Sequence, residues 1–410
     1  MTQTIPSPNP WGTSKPTALL ILADGTIIEG KGAGATGIAE AEVCFNTAIT
    51  GYEEILTDPS YTKQIVNFTF PHIGNVGTNS EDIEDLNPLD CCGAVGAIFK
   101  ADITCASNYR ANENLNQWLK KRNIIALCGI DTRALTVLIR EKGFLNAVIA
   151  HDQNGNFDIE TLKKCAQKWP GITDLDLAKN VTSKQLMTWD EKPWIWNKGY
   201  SQNKKHNFHI VAIDYGIKRN ILRLLAAQGA RITIVPADIT AKEILAMNPD
   251  GIFLSNGPGD PAATAEYAVP TIKELINYNI PLFGICLGHQ LLALAVGAKT
   301  SKMHQGHHGA NHPVKHFNTG KVEIVSMNHG FSVDATSLPP YVEETHISLF
   351  DGSNCGIRFI EKPIFSVQHH PEASPGPQDS HYLFQYFCNL IIEYKKNNLT
   401  QSSHLSECHV

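Results

Sequence analysis

The chain has 410 residues, of which 42% are apolar and 18% charged, and its formal net charge is −6. This length exceeds what one hydrophobic core usually serves, so we expect two domains. The mild negative charge argues against a surface for nucleic acid or membranes, and no apolar run is long enough to span a bilayer. The ten cysteines include no CxxC pair, so neither a disulfide scaffold nor a zinc site is indicated, and we expect a cytoplasmic protein.

The first half of the chain has the pattern of a strand-rich α+β domain. Two apolar runs flank Asp24-Gly25, which predicts a β-hairpin with that dipeptide at its tip. Further along, a helix is predicted to begin at Asp131 or Thr132, to present one apolar stripe and to end at Gly143. Mixed short strands with a few helices are typical of the α+β class.

The second half alternates strands and helices. Strands interleaved with helices predict right-handed crossovers and a doubly wound, mostly parallel sheet, so this half belongs to the α/β class. Such sheets place their sites at the C-terminal ends of the strands. The pattern predicts a helix over residues 218–228 and strands over residues 208–214, 232–235, 251–255 and 281–285.

Changes in composition predict the domain organisation. A flexible N-terminal extension over residues 1–17 precedes an N-terminal domain over residues 18–188. Residues 189–207 show no clear periodicity and are predicted to be a linker. The α/β domain follows over residues 208–395, and the polar stretch 396–410 is expected to be a disordered tail.

Cys286 lies in a context that indicates a nucleophile. It is flanked by Gly284 and Gly288, follows a predicted strand and precedes a helical pattern, like the serine of a G-x-S-x-G nucleophile elbow. The helix N-terminus would favour the thiolate over the thiol. The N–H group of Leu287 would then point at an oxyanion formed on the attacked carbonyl.

A general base is predicted at His370, after another strand. Pro371 favours an extended conformation for His370, so that the side chains of His370 and Glu372 face the same side. Glu372 would then orient the imidazole while its other nitrogen serves Cys286. Period-two alternation places the neighbouring His369 on the opposite face, so we favour His370 as the base.

A glycine- and proline-rich loop over residues 254–261 ends a further strand. Gly257 or Gly259 would allow close backbone approach and a second donor to the oxyanion. The loop lacks the spacing of a phosphate-binding loop. By itself it is equally typical of a sharp turn between a strand and a helix.

Five histidines crowd a short segment, but they do not indicate a metal site. Two glycines and a proline interrupt any helix that would align them, and no cysteine or carboxylate lies between them. We expect a polar loop near the active site or a face toward a partner, and no bound metal. The histidines are His304, His307, His308, His312 and His316.

Taken together, these segments resemble a class I glutamine amidotransferase. Residues 45–61, 71–77 and 131–133 resemble, more narrowly, the N-terminal domain of the small (glutaminase) chains of carbamoyl phosphate synthetases. The resemblance extends over roughly residues 18–392.

The resemblance implies a set of functional residues. The nucleophile, the general base and its partner would be Cys286, His370 and Glu372. One departure is His369, where the family often has glycine or tyrosine. The residues that match the family's L-glutamine-binding positions are Ser60, Gly257, Gly259, Leu287, Gln290, Asn328, Gly330 and Phe331.

The resemblance also implies a partner. Ammonia released from L-glutamine would pass through an internal tunnel to a large chain, which uses ATP and bicarbonate to make carbamoyl phosphate for arginine and pyrimidine biosynthesis. This chain would need no cofactor, since ATP and metal ions belong to the large chain, and the small–large heterodimers would form a higher oligomer. Two alternatives are a stand-alone γ-glutamyl hydrolase or cysteine peptidase, and a non-catalytic scaffold subunit.

Overall fold

The structure is a computed structural model and describes residues 15–86 and 92–407. Most of the predicted N-terminal extension, residues 1–14, and the last three residues of the predicted tail lie outside the described residues. None of the helices in the described ranges is long and apolar enough to cross a membrane.

The first part of the described chain forms a β-barrel. Its strands are β1 Ala18–Leu22, β2 Ile27–Gly34, β3 Gly37–Asn46, β4 Gln64–Phe68, β5 Gly96–Ile98, β6 Ile125–Cys128 and β7 Leu145–His151. They close in the order β1-β2-β6-β5-β4-β3-β7. The predicted hairpin joins β1 to β2 through Gly25, whose φ of +89° suits glycine.

Within the described ranges, five α-helices lie between or after the barrel strands along the sequence. They are α1 Tyr52–Thr57, α2 Leu115–Lys121, α3 Thr132–Lys142, α4 Ile159–Lys168 and α5 Ala178–Val181. The predicted helix is α3: the Asp131 side chain caps it by accepting from the N–H of Ala134, and Gly143 ends it. Leu135 and Ile139 bury its apolar stripe in the barrel core.

The second part forms the predicted α/β sheet. Its strands are β8 Met187–Trp189, β9 Glu191–Ile195, β10 Gly199–Gln202, β11 Phe208–Asp214, β12 Ala230–Pro236, β13 Gly251–Leu254, β14 Leu282–Ile285, β15 Lys299–His316, β16 Val322–Asp334, β17 Val342–Ser348, β18 Asn354–Phe359 and β19 Ile364–Val367. Apart from β9 and β10, they form one sheet in the order β16-β15-β17-β18-β19-β14-β13-β11-β12-β8.

The core of this sheet is parallel, as predicted. Strands β12, β11, β13, β14 and β19 are parallel neighbours, and the fold class is confirmed. Antiparallel strands extend the sheet at both ends. The accompanying helices are α6 Arg219–Ala227, α7 Ala241–Ala246, α8 Pro261–Ile276, α9 Leu287–Ala295 and α10 Tyr382–Glu407.

Three segments differ from the sequence-based predictions. The predicted linker, residues 189–207, contains the antiparallel hairpin β9–β10, because Asn197 and Gly199 adopt the left-handed conformation that a tight turn requires. The chain is helical from residue 396 to residue 407, where a disordered tail was expected, since no glycine or proline ends α10. The domain boundaries themselves stay predictions.

The histidine-rich segment is the third difference, because it is a strand and not a loop. It lies in β15, where register shifts between Lys302 and His307 and between Gly309 and His312 accommodate residues that would break a helix. His307, His308 and His312 are buried. No group of three or more His, Cys, Asp or Glu side chains in the described ranges is arranged to hold a metal ion.

Candidate active site

Cys286 occupies the predicted sharp turn between β14 and α9. Its backbone has φ of 53° and ψ of −104°, a conformation that is strained for a residue with a Cβ atom. The N–H of Cys286 donates to the carbonyl of Val367 in β19 at 2.9 Å, which anchors the turn to the neighbouring strand. A Cβ atom at Gly288 would collide with the Leu254 backbone, so the helix packs this closely only with glycine there.

The thiol of Cys286 is buried at the N-terminus of α9. Its Sγ lies 3.5 Å from the carbonyl oxygen of Asn328, to which the thiol donates. Leu287 is the first residue of α9, so its N–H group has no acceptor within the helix and is available to an oxyanion.

His370 and Glu372 form a buried pair beyond the end of β19. Nδ1 of His370 lies 2.7 Å from Oε1 of Glu372. Burial alone would lower the pKa of His370, but the negative charge of Glu372 and the proximity of Cys286 raise this pKa above its ordinary value. Nε2 of His370 has no hydrogen-bond partner among the described residues, so it is available for proton transfer.

His369 lies on the opposite face, as the alternation predicted. Its ring is fully buried and contacts the ring of His346, with 5.5 Å between their centroids. Burial, together with the charge of His370, lowers the pKa of His369 to about 3. This imidazole is therefore neutral near pH 7, and its ring nitrogens form no hydrogen bond with Glu372.

Lys218 is a member of the site that the sequence analysis missed. Its Nζ lies 2.9 Å from Oε1 of Glu372 and donates to the carbonyl of Ala373 at 2.7 Å. Burial alone would raise the pKa of Glu372, but Lys218 and His370 lower this pKa to about 2. Lys218 follows the C-terminal end of β11, a position where sites are expected in such sheets, yet the pattern there indicated only the start of an amphipathic helix.

A cleft with an empty volume of about 420 Å³ opens beside Cys286. Most of the predicted L-glutamine-binding residues line it, and Leu287, which is not in the lining, directly follows Cys286 in the chain. The predicted residues in the lining are Ser60, Gly257, Gly259, Gln290, Asn328, Gly330 and Phe331, and the other lining residues include Glu42, Gln64, Ile172, His308 and His329.

The barrel and the sheet build this cleft together. Ser60 lies in a 3-10 turn of the barrel part, and its hydroxyl accepts from the side-chain amide of Asn256 at 2.9 Å. Asn328 donates to Asp58 of the barrel part at 3.1 Å. Its side-chain oxygen lies 2.9 Å from Nδ1 of His308. The barrel therefore supplies part of the site and helps to position Asn328.

Comparison with known proteins divides the chain into the same two parts. Residues 20–149 match the family described as carbamoyl-phosphate synthase small chain, CPSase domain, and residues 211–390 match glutamine amidotransferase class-I. A carbamoyl phosphate synthase small chain from Bartonella henselae is 82% identical over 97% of this chain and 100% of its own length. The protein of that name from Mesorhizobium japonicum is 70% identical over 93% of this chain and 96% of its own length.

Proposed function

We propose that this chain, which belongs to the family of carbamoyl phosphate synthase small chains and is the glutaminase subunit of that enzyme, acts through Cys286, His370 and Glu372. The observation that carries the proposal is the placement of His370. Its Nδ1 pairs with Glu372 at 2.7 Å, while its Nε2 has no such partner among the described residues and lies in a buried site next to Cys286. The nucleophile, the base and the carboxylate that orients the base are therefore arranged in space as acyl transfer requires.

The reaction proceeds in two halves. The Cys286 thiolate attacks the side-chain amide carbon of L-glutamine, and the oxyanion accepts from the N–H of Leu287 and from Gly257 or Gly259. His370 donates its proton to the departing ammonia and leaves a γ-glutamyl thioester. It then removes a proton from water, which attacks the thioester and releases glutamate and the thiolate. Lys218 keeps Glu372 ionised throughout.

A second cleft supports the transfer of ammonia to a large chain. It has an empty volume of about 320 Å³, is lined by His370 and extends between Asp58, Ser326 and Pro375. Ammonia formed beside His370 would leave on this side, away from the glutamine cleft. The large chain would use ATP and metal ions, and this chain would need no cofactor. A cytoplasmic location and a higher oligomer of small–large heterodimers are part of the same proposal.

The full-length similarity favours this function over the two alternatives. A stand-alone γ-glutamyl hydrolase, a cysteine peptidase or a scaffold would not require the matched barrel together with an ordered Cys–His–Glu site.

Replacing the nucleophile tests the proposal. Cys286→Ser should abolish hydrolysis of L-glutamine and glutamine-dependent synthesis by the complex with the large chain. Ammonia-dependent synthesis should persist, because it bypasses the thioester. Both activities are measured on the reconstituted complex, with the buried Cys355→Ser as the matched control. Glutaminase activity that survives in Cys286→Ser would show that another residue is the nucleophile.

A further inference from the structure

One wall of the glutamine cleft consists of two polar side chains from the barrel that have no role in the mechanism above. Glu42 in β3 and Gln64 in β4 line the cleft together with Cys286. They are direct neighbours across the parallel pair of strands, so their side chains project from the same face. Both are buried, with exposed fractions of 2% and 5%.

Glu42 is the only carboxylate among the described residues that line the cleft. Its Oε2 lies 2.6 Å from Nζ of Lys302, which approaches from β15. Burial raises the pKa of Glu42, although Lys302 opposes the shift. A carboxylate has about four acceptor positions, so its contacts with Lys302 and with the backbone N–H of Ile172 leave it able to accept from a further cationic donor.

Gln64 presents an unsatisfied acceptor in the same place. Its Oε1 is buried and has no hydrogen-bond donor within the described part of the chain. A buried acceptor without a donor costs free energy, which a ligand that supplies an N–H group would recover. Glu42 thus keeps acceptor positions beyond its contact with Lys302, and the side-chain oxygen of Gln64 has no donor among the described residues, so both can accept from a positively charged N–H donor in the cleft.

We propose that Glu42 and Gln64 bind the α-ammonium group of L-glutamine and so make the cleft selective for an amino acid over a simple amide. This inference rests on the proposed function, because Cys286 must attack the side-chain amide of the same molecule. An α-ammonium group is a cation with three N–H donors, enough to satisfy both acceptors at once. Lys302 is a positioning residue, which holds the carboxylate of Glu42 in place.

A comparison of two substrates tests the inference. Glutaramate has the side-chain amide of L-glutamine but no α-ammonium group. Glu42→Gln in the complex with the large chain should raise KM for L-glutamine by about 10- to 100-fold, the loss expected for a hydrogen bond to a charged group, with kcat largely retained. It should leave kcat/KM for glutaramate close to the wild-type value, so that the preference for L-glutamine collapses.

Two further variants separate binding from structure. Lys302→Met loosens the carboxylate of Glu42 but keeps it in the cleft, so it should reduce the preference for L-glutamine less than Glu42→Gln does. Gln64→Leu should reduce the preference in the same direction as Glu42→Gln and replaces that test if Glu42→Gln does not fold. An equal loss of kcat/KM for both substrates in Glu42→Gln, or in Gln64→Leu used in its place, would overturn the inference. A loss of the preference for L-glutamine in Lys302→Met as large as that in Glu42→Gln would overturn it too. Failure of the wild-type chain to hydrolyse L-glutamine would instead refute the proposed function.

Discussion

Two sets of buried ionisable side chains lie on opposite sides of the chain just beyond β19, and they differ in how burial is compensated. On one side, His370, Glu372 and Lys218 form a chain of contacts in which positive and negative charges alternate. On the other side, the ring of His369 contacts the ring of His346, which in turn contacts the ring of His316. Adjacent residues of the same type therefore have opposite protonation states near pH 7.

The difference shows that burial alone does not decide the charge of an imidazole. Burial lowers the pKa of His369 to about 3 and that of His346 to about 2. The pKa of His370 rises although its ring is equally buried, because Glu372 stabilises the imidazolium. A base that must hold and release protons needs that carboxylate, and the carboxylate in turn needs Lys218.

The largest expected effect separates the two adjacent histidines. His370→Asn should lower kcat for glutamine hydrolysis by at least about 100-fold, since general acid–base catalysis contributes that much or more. His369→Asn, the matched control, should leave turnover close to wild type, because its ring forms no hydrogen bond with a proposed catalytic group among the described residues. Steady-state glutaminase rates check both variants. Loss of turnover in His369→Asn with activity retained in His370→Asn would reassign the base.

A smaller effect is expected at Lys218. The pKa of Glu372 lies below its ordinary value, so the carboxylate is ionised above that pKa and activity declines as pH falls through it. Lys218→Met removes the cation, so this pKa rises. The acid limb of the kcat/KM profile should then move to higher pH by about 1–3 units, the shift expected from one nearby opposite charge.

The pH profile distinguishes this role of Lys218 from a structural one. A variant that is only less stable would lose activity at every pH without moving the acid limb. Lys142→Met, which removes a partly exposed lysine paired with Asp24, serves as the control and should leave the profile unchanged. An unshifted acid limb in Lys218→Met would contradict the role assigned to this side chain.

The sequence predicted those parts of the site that depend on residues close together in the chain. The strand, turn and helix around Cys286 are local, as is the spacing between His370 and Glu372, and all of these have the predicted geometry. The fold class followed from the alternation of strands and helices. The family resemblance supplied Ser60, which physical reasoning about the sequence would not have selected.

Other parts depend on contacts between distant residues, which no local pattern encodes. Lys218 reaches Glu372 only because β11 and β19 are brought into one sheet. Glu42 and Gln64 reach the cleft only because the barrel packs against the sheet. The histidine-rich segment was misread since glycine and proline exclude a helix but are compatible with a bulged strand.

The covalent state of Cys286 during turnover tests the central claim most directly. Acid quenching of the complex while it hydrolyses L-glutamine should preserve a γ-glutamyl thioester, which peptide mass spectrometry can assign to one cysteine. The account predicts the adduct on Cys286 and none in Cys286→Ser. An adduct on another cysteine of this chain, or hydrolysis by the wild type that yields none, would contradict it.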